Sequence, residues 1–295
     1  MEDEKRVLAY FGHHKCGTKM VMGIVARASR YMGLKYDSFH SPKMWGYDKN
    51  HKTLNEVVAE FNLDFVTYNN ADRIYIGADG KFLGIHVIRD PRDIIVSSYF
   101  SHRYSHSTNQ WPELVDFREV LERLPQNDGL LESMKFTANL KIDGWDINLF
   151  DSLMNWNYSL PNIMEVKFER LVNNPYQIFL DMFEFLGILE HQESINLSFL
   201  RSVFRYRLNN LFPSISILKK TFQTPAWMLL FFVYSNRFSK LAGGRDTGRE
   251  DVKSHYRKGT PGDWKNYFND QHKDYFKKNH NDLLIKLGYE KDDNW

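Results

Sequence analysis

Apolar runs alternate along the chain with segments of helical spacing. The runs VLAYF at Val7 to Phe11, FLGIHVI at Phe82 to Ile88 and NIMEVKF at Asn162 to Phe168 are typical of buried strands. Each run is followed by a helical pattern, the first over residues 19–32 and the second over residues 92–104. Because strands that alternate with helices form mostly parallel sheets, this order predicts a three-layer α/β fold with a central sheet between helices.

The stretch from about residue 195 to 237 departs from this alternation. It is apolar and basic together, and it contains the run PAWMLLFFVY at Pro225 to Tyr234. A bilayer span needs about 20 apolar residues, so this run is too short to cross a membrane. We expect a helical cap packed on the core, with a surface that touches lipid or an apolar acceptor as the alternative. No repeat or linker interrupts the chain, which predicts a single domain over residues 1–295.

The composition indicates a folded protein of a reducing compartment. Apolar residues make up 42% of the chain and charged residues 26%, which is ordinary for a globular protein. Cys16 is the only cysteine, so no intrachain disulfide can form, and no Cys/His pair has zinc-ligand spacing. The first strand follows MEDEKR directly, leaving no space for a signal peptide, and we expect a cytoplasmic protein without a structural metal.

Positive charge is concentrated in one part of the chain. The net charge is +2, yet residues 195–245 contain eight Lys and Arg and no Asp or Glu, so the remainder carries 2 − 8 = −6. Such a block attracts an anionic ligand or an anionic membrane.

The sequence GHHKCGTK, residues 12–19, resembles a phosphate-binding loop with an altered order. Its two glycines have the spacing of G-x-x-x-x-G-K-[ST], but Thr18 precedes Lys19. A glycine loop between a strand and a helix presents backbone N–H groups to an anion. A P-loop kinase, which needs magnesium and a Lys directly before the Ser or Thr, is a rival that the order GTK argues against.

Two further segments contain residues that can bind an anion. Arg89 directly follows the second predicted strand, at the sheet edge where open α/β folds bind ligands, and Ser97 lies about two helical turns further on. Near the carboxyl end, HYRKGTPGDWKNYF places Arg257, Lys258 and Gly259 in a turn-rich loop before a helix.

Together these motifs resemble the sulfotransferases that use 3′-phosphoadenosine 5′-phosphosulfate (PAPS). HHKCGTKM is similar to the family's 5′-phosphosulfate loop, IRDPRDIIVSSYF to its 3′-phosphate motif, and RKGTPGDWKNYF to its carboxyl-terminal R-K-G-x-x-G-D-W-K motif. VKFERLVNNP and LLIKLGYEKDDNW also resemble family segments, and all these landmarks occur in family order. The resemblance implies transfer of a sulfonate from PAPS to a hydroxyl or amine, with release of 3′-phosphoadenosine 5′-phosphate (PAP) and no metal.

The resemblance also implies roles for individual residues. Lys15 would contact the bridging oxygen and the sulfonate. The 5′-phosphate would be bound by Gly17, Thr18 and Lys19, and the 3′-phosphate by Arg89, Ser97, Arg257, Lys258 and Gly259. Phe168 and Phe238 would flank the adenine, while Met20, in place of a family Trp, is either a further adenine contact or a core residue. Cys16 is expected to fill space in the loop, with a pKa lowered by Lys15 and Lys19.

The base that removes the acceptor's proton is less clearly marked. Small-molecule enzymes of this family carry a His in a segment that corresponds here to FVTYNNAD, residues 65–72, which has none. Asp37 and His40, in KYDSFHSPKMW, are the two candidates, and His40 is preferred because its ordinary pKa is near neutrality. We treat His13, His14, His86, His102 and His106 as ordinary. The missing His keeps open a non-catalytic PAP-binding protein.

The basic apolar segment is the only sequence feature that indicates the chemical class of the acceptor. It indicates a lipid-like or saccharide small molecule and possible peripheral membrane contact, and it gives no reason to expect nucleic acid. The sequence does not indicate an oligomeric state.

Overall fold

The computed structural model describes residues 6–77, 81–191, 203–204, 206–208, 211, 221 and 223–295. Most of the predicted cap, between residues 195 and 222, lies outside these described residues.

A five-stranded parallel sheet organises the described part of the chain. Its strands are β1 (Val7–Gly12), β2 (Tyr36–Phe39), β3 (Phe65–Asn69), β4 (Phe82–Ile88) and β7 (Ile163–Lys167). Their order across the sheet is β2-β3-β1-β4-β7, and every pairing is parallel. Two short pairs lie outside this sheet: β5 (Lys141–Ile142) with β6 (Trp145–Asp146), and β8 (Leu189–Glu190) with β9 (Thr224–Pro225).

Helices connect the strands and cover both faces of the sheet. In the described residues the α-helices are α1 (Thr18–Met32), α2 (Tyr47–Asn50), α3 (Leu54–Glu60), α4 (Pro91–Phe100), α5 (Pro112–Arg123), α6 (Gln126–Ala138), α7 (Leu149–Asn155), α8 (Phe168–Asn173), α9 (Pro175–Phe185), α10 (Ala226–Ser235), α11 (Phe238–Leu241) and α12 (Asp270–Lys286). Short 3₁₀ helices occupy Pro42–Trp45, Arg73–Tyr75 and Asp263–Asn266, and a π-helical turn occupies Ser101–Ser105.

The apolar core is divided between the two faces. Helices α1, α9 and α10 pack on one face, where Ile24, Phe179 and Phe232 are fully buried. The other face carries one cluster around Tyr68 and Leu54 and another in which α4, α6, α7 and α12 pack together. Since apolar side chains on both faces exclude water, the ligand-accessible part of the sheet is its carboxyl edge.

The predicted three-layer α/β fold is confirmed. The strand predicted at residues 82–88 has those bounds. The strand predicted at residues 7–11 is one residue shorter than β1 at one end, and that at residues 162–168 is one residue longer than β7 at each end. The segment predicted to be helical over residues 92–104 is helical, but its last part differs in type, because α4 ends at Phe100 and the π-helical turn follows.

The apolar run at residues 225–234 forms most of α10. Met228, Leu229, Phe232 and Val233 are buried against the sheet side, while Phe231 and Tyr234 are 53% and 40% exposed. Among the helices of the described residues, none combines the length and apolarity that crossing a membrane requires.

Candidate functional site

The loop between β1 and α1 has a strained backbone. Lys15 has a φ of 64° and Gly17 a φ of 78°, so the chain twice enters the left-handed region before α1 begins. Only glycine adopts this conformation without cost, and a Cβ on Gly17 would also lie 2.8 Å from the Phe168 ring. A lysine held in this region indicates a position constrained for function.

Lys15 lies where positive charges from three segments meet. Its partly buried amine interacts electrostatically with Arg89 at the end of β4, with Lys19 in α1 and with Arg257 near the carboxyl end. Burial and then these three charges lower the pKa of Lys15 to about 7. A multiply charged anion placed among these groups would remove the mutual repulsion.

Arg89 connects the loop to the sheet edge. Its guanidinium donates to the Lys15 carbonyl at 2.9 Å and lies 4.6 Å from the centre of the Phe168 ring. Arg89 is 7% exposed, and its Nε is buried without a hydrogen-bond partner among the described residues. Ser97 is partly buried in α4, and its carbonyl accepts from Ser101.

The carboxyl-terminal loop is attached to α4 by one carboxylate. Asp93 accepts from the N–H of Gly262 at 2.6 Å and from that of Trp264 at 2.9 Å. Burial, the largest influence, raises the pKa of Asp93, although these bonds and Arg89 oppose it. Asp93 thereby holds the RKGTPGDW loop beside Arg89 and the loop between β1 and α1.

The cations of this carboxyl-terminal loop have acidic partners. Lys258 Nζ lies 2.5 Å from Asp263, and Arg257 forms ion pairs with Asp263 and Glu250. Arg257 also lies 4.5 Å from the centre of the Phe100 ring. These pairs fix the directions of both side chains.

Phe238 packs against the backbone of the same loop. Gly259 has a φ of 73°, and a Cβ built there would lie 2.5 Å from the Phe238 ring. The Arg245 guanidinium lies 5.3 Å from the centre of that ring and donates to the Arg257 and Tyr256 carbonyls at 2.5 Å. Phe168 and Phe238 each lie against a glycine of one of the two loops that were predicted to bind anions.

Three loop residues differ in their surroundings. Thr18 donates its hydroxyl to the His13 carbonyl at 2.9 Å, Lys19 is exposed, and Met20 packs partly buried against the α1 side of the core. Cys16 is fully buried, and burial raises its pKa. The expectation of a lowered Cys16 pKa is therefore wrong, because desolvation of the thiolate outweighs the nearby positive charge.

The two candidate bases lie at different distances from the loop. His40 follows the carboxyl end of β2, and desolvation and the nearby Lys19 lower its pKa. Asp37 lies within β2, exposed, with its carboxylate accepting from the Ser38 N–H at 2.7 Å. The structure brings His40 near Lys19 and shows no contact between Asp37 and the loop cations in the described residues.

Sequence reasoning missed a cluster of histidines beside Lys15. His14, His102, His106 and His255 come from three separate segments, and their ring centres lie 5.1 to 6.3 Å apart in successive pairs. His14, His106 and His255 interact electrostatically with Lys15 or with the other rings. The only local signal was the i, i+4 spacing of His102 and His106.

A second buried histidine chain lies beneath the loop. His13 Nε2 lies 2.7 Å from His86 Nε2, and His86 Nδ1 lies 2.6 Å from a Glu165 oxygen. Trp156 stacks on His86 at 4.0 Å and donates to Glu165 at 2.9 Å. Burial raises the pKa of Glu165 to about 8 and lowers that of His86 to about 3, so both groups favour their uncharged forms.

Known proteins resemble this chain in both sequence pattern and fold. A family model of the sulfotransferase domain matches residues 11–210. The structure of mouse sulfotransferase SULT7A1 complexed with PAP has a TM-score of 0.53 at 14% identity, covering 95% of this chain and 84% of that chain. Retinol dehydratase complexed with androsterone and PAP gives a TM-score of 0.46 at 15% identity, covering 94% of this chain and 80% of that one. Retinol dehydratase in a complex with retinol and PAP gives a TM-score of 0.48 at 14% identity, covering 95% of this chain and 81% of that one. No curated protein matches the sequence.

Proposed function

The chain belongs to the sulfotransferase domain family and is a sulfotransferase; from this premise we propose that its cationic site binds PAPS and transfers the sulfonate to an acceptor hydroxyl or amine. The observation that supports this best is the convergence of Lys15, Lys19, Arg89 and Arg257 on one edge of the sheet. The mouse relative in the fold comparison was solved with PAP, the product that such a reaction releases.

The residues present fit a nucleotide with phosphates at two places. Arg89 has a buried Nε without a partner among the described residues, and both anion-binding loops turn on glycines that aromatic rings cover. We propose that Gly17, Thr18 and Lys19 bind the 5′-phosphate, with Cys16 filling space behind them. The proposed 3′-phosphate ligands are Arg89, Ser97, Arg257, Lys258 and Gly259.

We assign the adenine to the space between Phe168 and Phe238. Each ring lies against a loop glycine, which places it next to the proposed phosphate ligands. Aromatic faces stack on a base at a typical value of about 1–3 kcal/mol each. Met20 packs against the core, which supports its role as a core residue more than as an adenine contact.

Lys15 is proposed to stabilise the departing oxygen. The acceptor oxygen attacks sulfur in line, the bond from sulfur to the bridging oxygen breaks, and the electron pair leaves with the 5′-phosphate of PAP. A fixed cation at that oxygen favours the transition state over the ground state. The sulfonate carries less charge than a γ-phosphoryl group, so we expect no metal requirement.

The acceptor is proposed to be a lipid-like small molecule, with a saccharide as the alternative. Phe231 and Tyr234 are exposed on α10, and Arg237 lies 4.1 Å from the Tyr234 ring centre. Phe238 begins α11 directly afterwards, so this exposed surface adjoins the proposed adenine site. An aromatic and cationic surface of this kind also fits peripheral contact with an anionic membrane.

We propose one domain over residues 1–295, supported by the Asp93 bonds that join α4 to the carboxyl-terminal loop. A cytoplasmic location is supported by the single cysteine, which the structure buries as a free thiol. We propose no nucleic-acid partner, and no feature of the described residues identifies an oligomeric state.

Calorimetry with PAP and with ATP, each with magnesium or with EDTA, tests the proposal. We expect tight PAP binding that EDTA does not change, and Lys15→Met should retain PAP binding weakened by about tenfold. ATP binding that requires magnesium would instead support a P-loop kinase. PAP binding without transfer to any acceptor in a panel of phenols, alkanols, sterols and saccharides would support a non-catalytic PAP-binding protein.

A further inference from the structure

Three histidines surround Trp111 next to the proposed transfer site, and a fourth lies beside one of them. The ring centre of Trp111 lies 5.7 Å from that of His14, 5.3 Å from His102 and 4.9 Å from His106. His255, two residues before Arg257, lies 6.3 Å from His106. His14, His106 and His255 are partly buried, and His102 is completely buried.

The backbone that carries His106 is firmly held. The π-helical turn Ser101–Ser105 follows α4, and the His106 N–H donates to the Ser101 carbonyl at 2.7 Å. Arg118 of α5 donates to the carbonyls of His102 and His106, at 2.6 Å each. π-helical turns inside helices occur frequently at functional sites.

One hydrogen bond fixes the tautomer of His106. Its Nδ1 lies 2.9 Å from the Ser107 carbonyl oxygen. A carbonyl only accepts, so Nδ1 carries the hydrogen and Nε2 of the neutral ring carries the lone pair. Nε2 makes no hydrogen bond to any residue within the described ranges, which leaves it available to a substrate.

The charges that face His106 keep the ring neutral. Burial, with smaller effects of Lys15, Lys19 and Arg118, lowers its pKa to about 4, although the bond to Ser107 opposes this shift. His14, His102 and His255 also face the ring, and burial lowers the pKa of each of them. The neutral ring keeps a lone pair on Nε2, and an anion bound beside the two lysines would offset their charges and make this nitrogen more basic.

We propose that His106 is the catalytic base, its Nε2 taking the proton from the acceptor hydroxyl as that oxygen attacks sulfur. The new bond joins the acceptor oxygen to sulfur, the old bond to the bridging oxygen breaks with its electrons going to PAP, and the proton goes to His106. This inference rests on the proposed sulfonate transfer. Arg118 acts as a positioning residue through the backbone.

His106 has more support in this role than His40. It interacts with both Lys15 and Lys19, whereas His40 interacts with Lys19 alone. The His106 tautomer is fixed by Ser107, and the described residues provide no such hydrogen bond to the His40 ring.

The test compares His106→Asn with the wild-type protein on acceptors of different acidity. Asn retains a donor for the Ser107 carbonyl but has no basic nitrogen. The acceptors are 4-nitrophenol, assayed at a pH above its pKa so that it is mostly ionised, and unsubstituted phenol and an alkanol, which must lose a proton during transfer. PAP binding is measured in parallel, and the exposed His51→Asn serves as the matched control.

We expect His106→Asn to bind PAP like the wild type and to lower kcat with phenol and the alkanol by about 100-fold or more. With 4-nitrophenol the loss should be within about threefold, because that acceptor needs no base. Equal losses on all acceptors, or no loss on any, would overturn the role of His106. A selective loss in His40→Asn with normal rates in His106→Asn would assign the base to His40. PAP binding without transfer by the wild type to any acceptor would overturn the proposed function and this inference together.

Discussion

Arg89 holds the backbone of Lys15 by a 2.9 Å hydrogen bond from its guanidinium to the Lys15 carbonyl. A proposed ligand of the 3′-phosphate therefore supports the residue proposed to act at the sulfonate. Lys15 has a φ of 64°, and a backbone in this region persists only when its surroundings hold it there. The two ends of the proposed nucleotide site are thus physically connected by the protein itself.

Arg89→Lys should weaken PAP binding more than the loss of one phosphate contact would. Lysine retains the charge but cannot hold the Lys15 carbonyl and lie over Phe168 at the same time. We expect the PAP Kd from calorimetry to rise by about 10- to 100-fold, while the exposed control Arg123→Lys leaves it unchanged. A Kd within about twofold of the wild-type value would show that the guanidinium geometry is unimportant.

Lys15→Met should stabilise the free protein near pH 7. The pKa of Lys15 is lowered from 10.5 to about 7, so folding disfavours the protonated amine. This destabilisation is fully present below about pH 7 and disappears as pH rises toward the unfolded pKa. Urea unfolding should show a gain of about 1–3 kcal/mol for the variant at about pH 7 and a much smaller gain near pH 10. The exposed control Lys278→Met should show no such difference between the two pH values.

PAP binding should take up a proton above neutral pH. An anion beside Lys15 favours the charged amine and raises its pKa from about 7. Calorimetry in buffers of different ionisation enthalpy should detect uptake approaching one proton near pH 8 and little uptake near pH 6. Equal uptake in Lys15→Met and the wild type would assign the proton to the neighbouring histidines.

Asp93→Asn should release the carboxyl-terminal loop. Its carboxylate accepts the N–H groups of Gly262 and Trp264, and an amide accepts through one oxygen only. We expect a stability loss of about 1–3 kcal/mol and a PAP Kd raised by about tenfold. Limited proteolysis should cut the variant faster between residues 255 and 262, while the exposed control Asp116→Asn behaves like the wild type. Unchanged proteolysis would mean that other contacts hold the loop.

The sequence predicted the parts of the fold that long apolar runs form. Strands β1, β4 and β7 coincide with the apolar runs from which they were predicted. By contrast, β2, at one edge of the sheet, is the short segment YDSF with an exposed Asp37. Its pattern carries too little hydrophobic signal to separate it from a loop. The order of the motifs that were predicted to bind anions also predicted the family, because each motif is local in sequence.

The histidine cluster could not be predicted in the same way. His14, His106 and His255 are brought together by the π-helical turn and by the carboxyl-terminal loop, which Asp93 attaches to α4. Neither the turn nor the attachment has a sequence pattern that separates it from ordinary helix and loop. The predicted direction of the Cys16 pKa shift was wrong for a related reason, because the burial of Cys16 depends on packing from distant segments.

The buried chain of His13, His86 and Glu165 should contribute its own pH dependence to stability. The pKa of Glu165 is raised from 4.5 to about 8, so the folded protein binds more protons than the unfolded chain between these values. This contribution is present below about pH 4.5 and is lost as pH rises through about 8. His86 has its pKa lowered from 6.5 to about 3 and acts oppositely, but only below about pH 6.5.

Glu165→Gln isolates the carboxyl group between pH 6.5 and 8. Glutamine retains an oxygen and an N–H for the Trp156 and His86 contacts but does not ionise. Relative to the wild type, the variant should gain about 1–2 kcal/mol of unfolding free energy between about pH 6.5 and 8.5, measured by urea titration. The unfolding free energy of the exposed control Glu119→Gln, relative to the wild type, should not change with pH over this range. The opposite result is that the unfolding free energies of the wild type and the variant change in parallel with pH across this range. That result would mean that Glu165 is already ionised near pH 6.5 and forms an ion pair with a protonated His86.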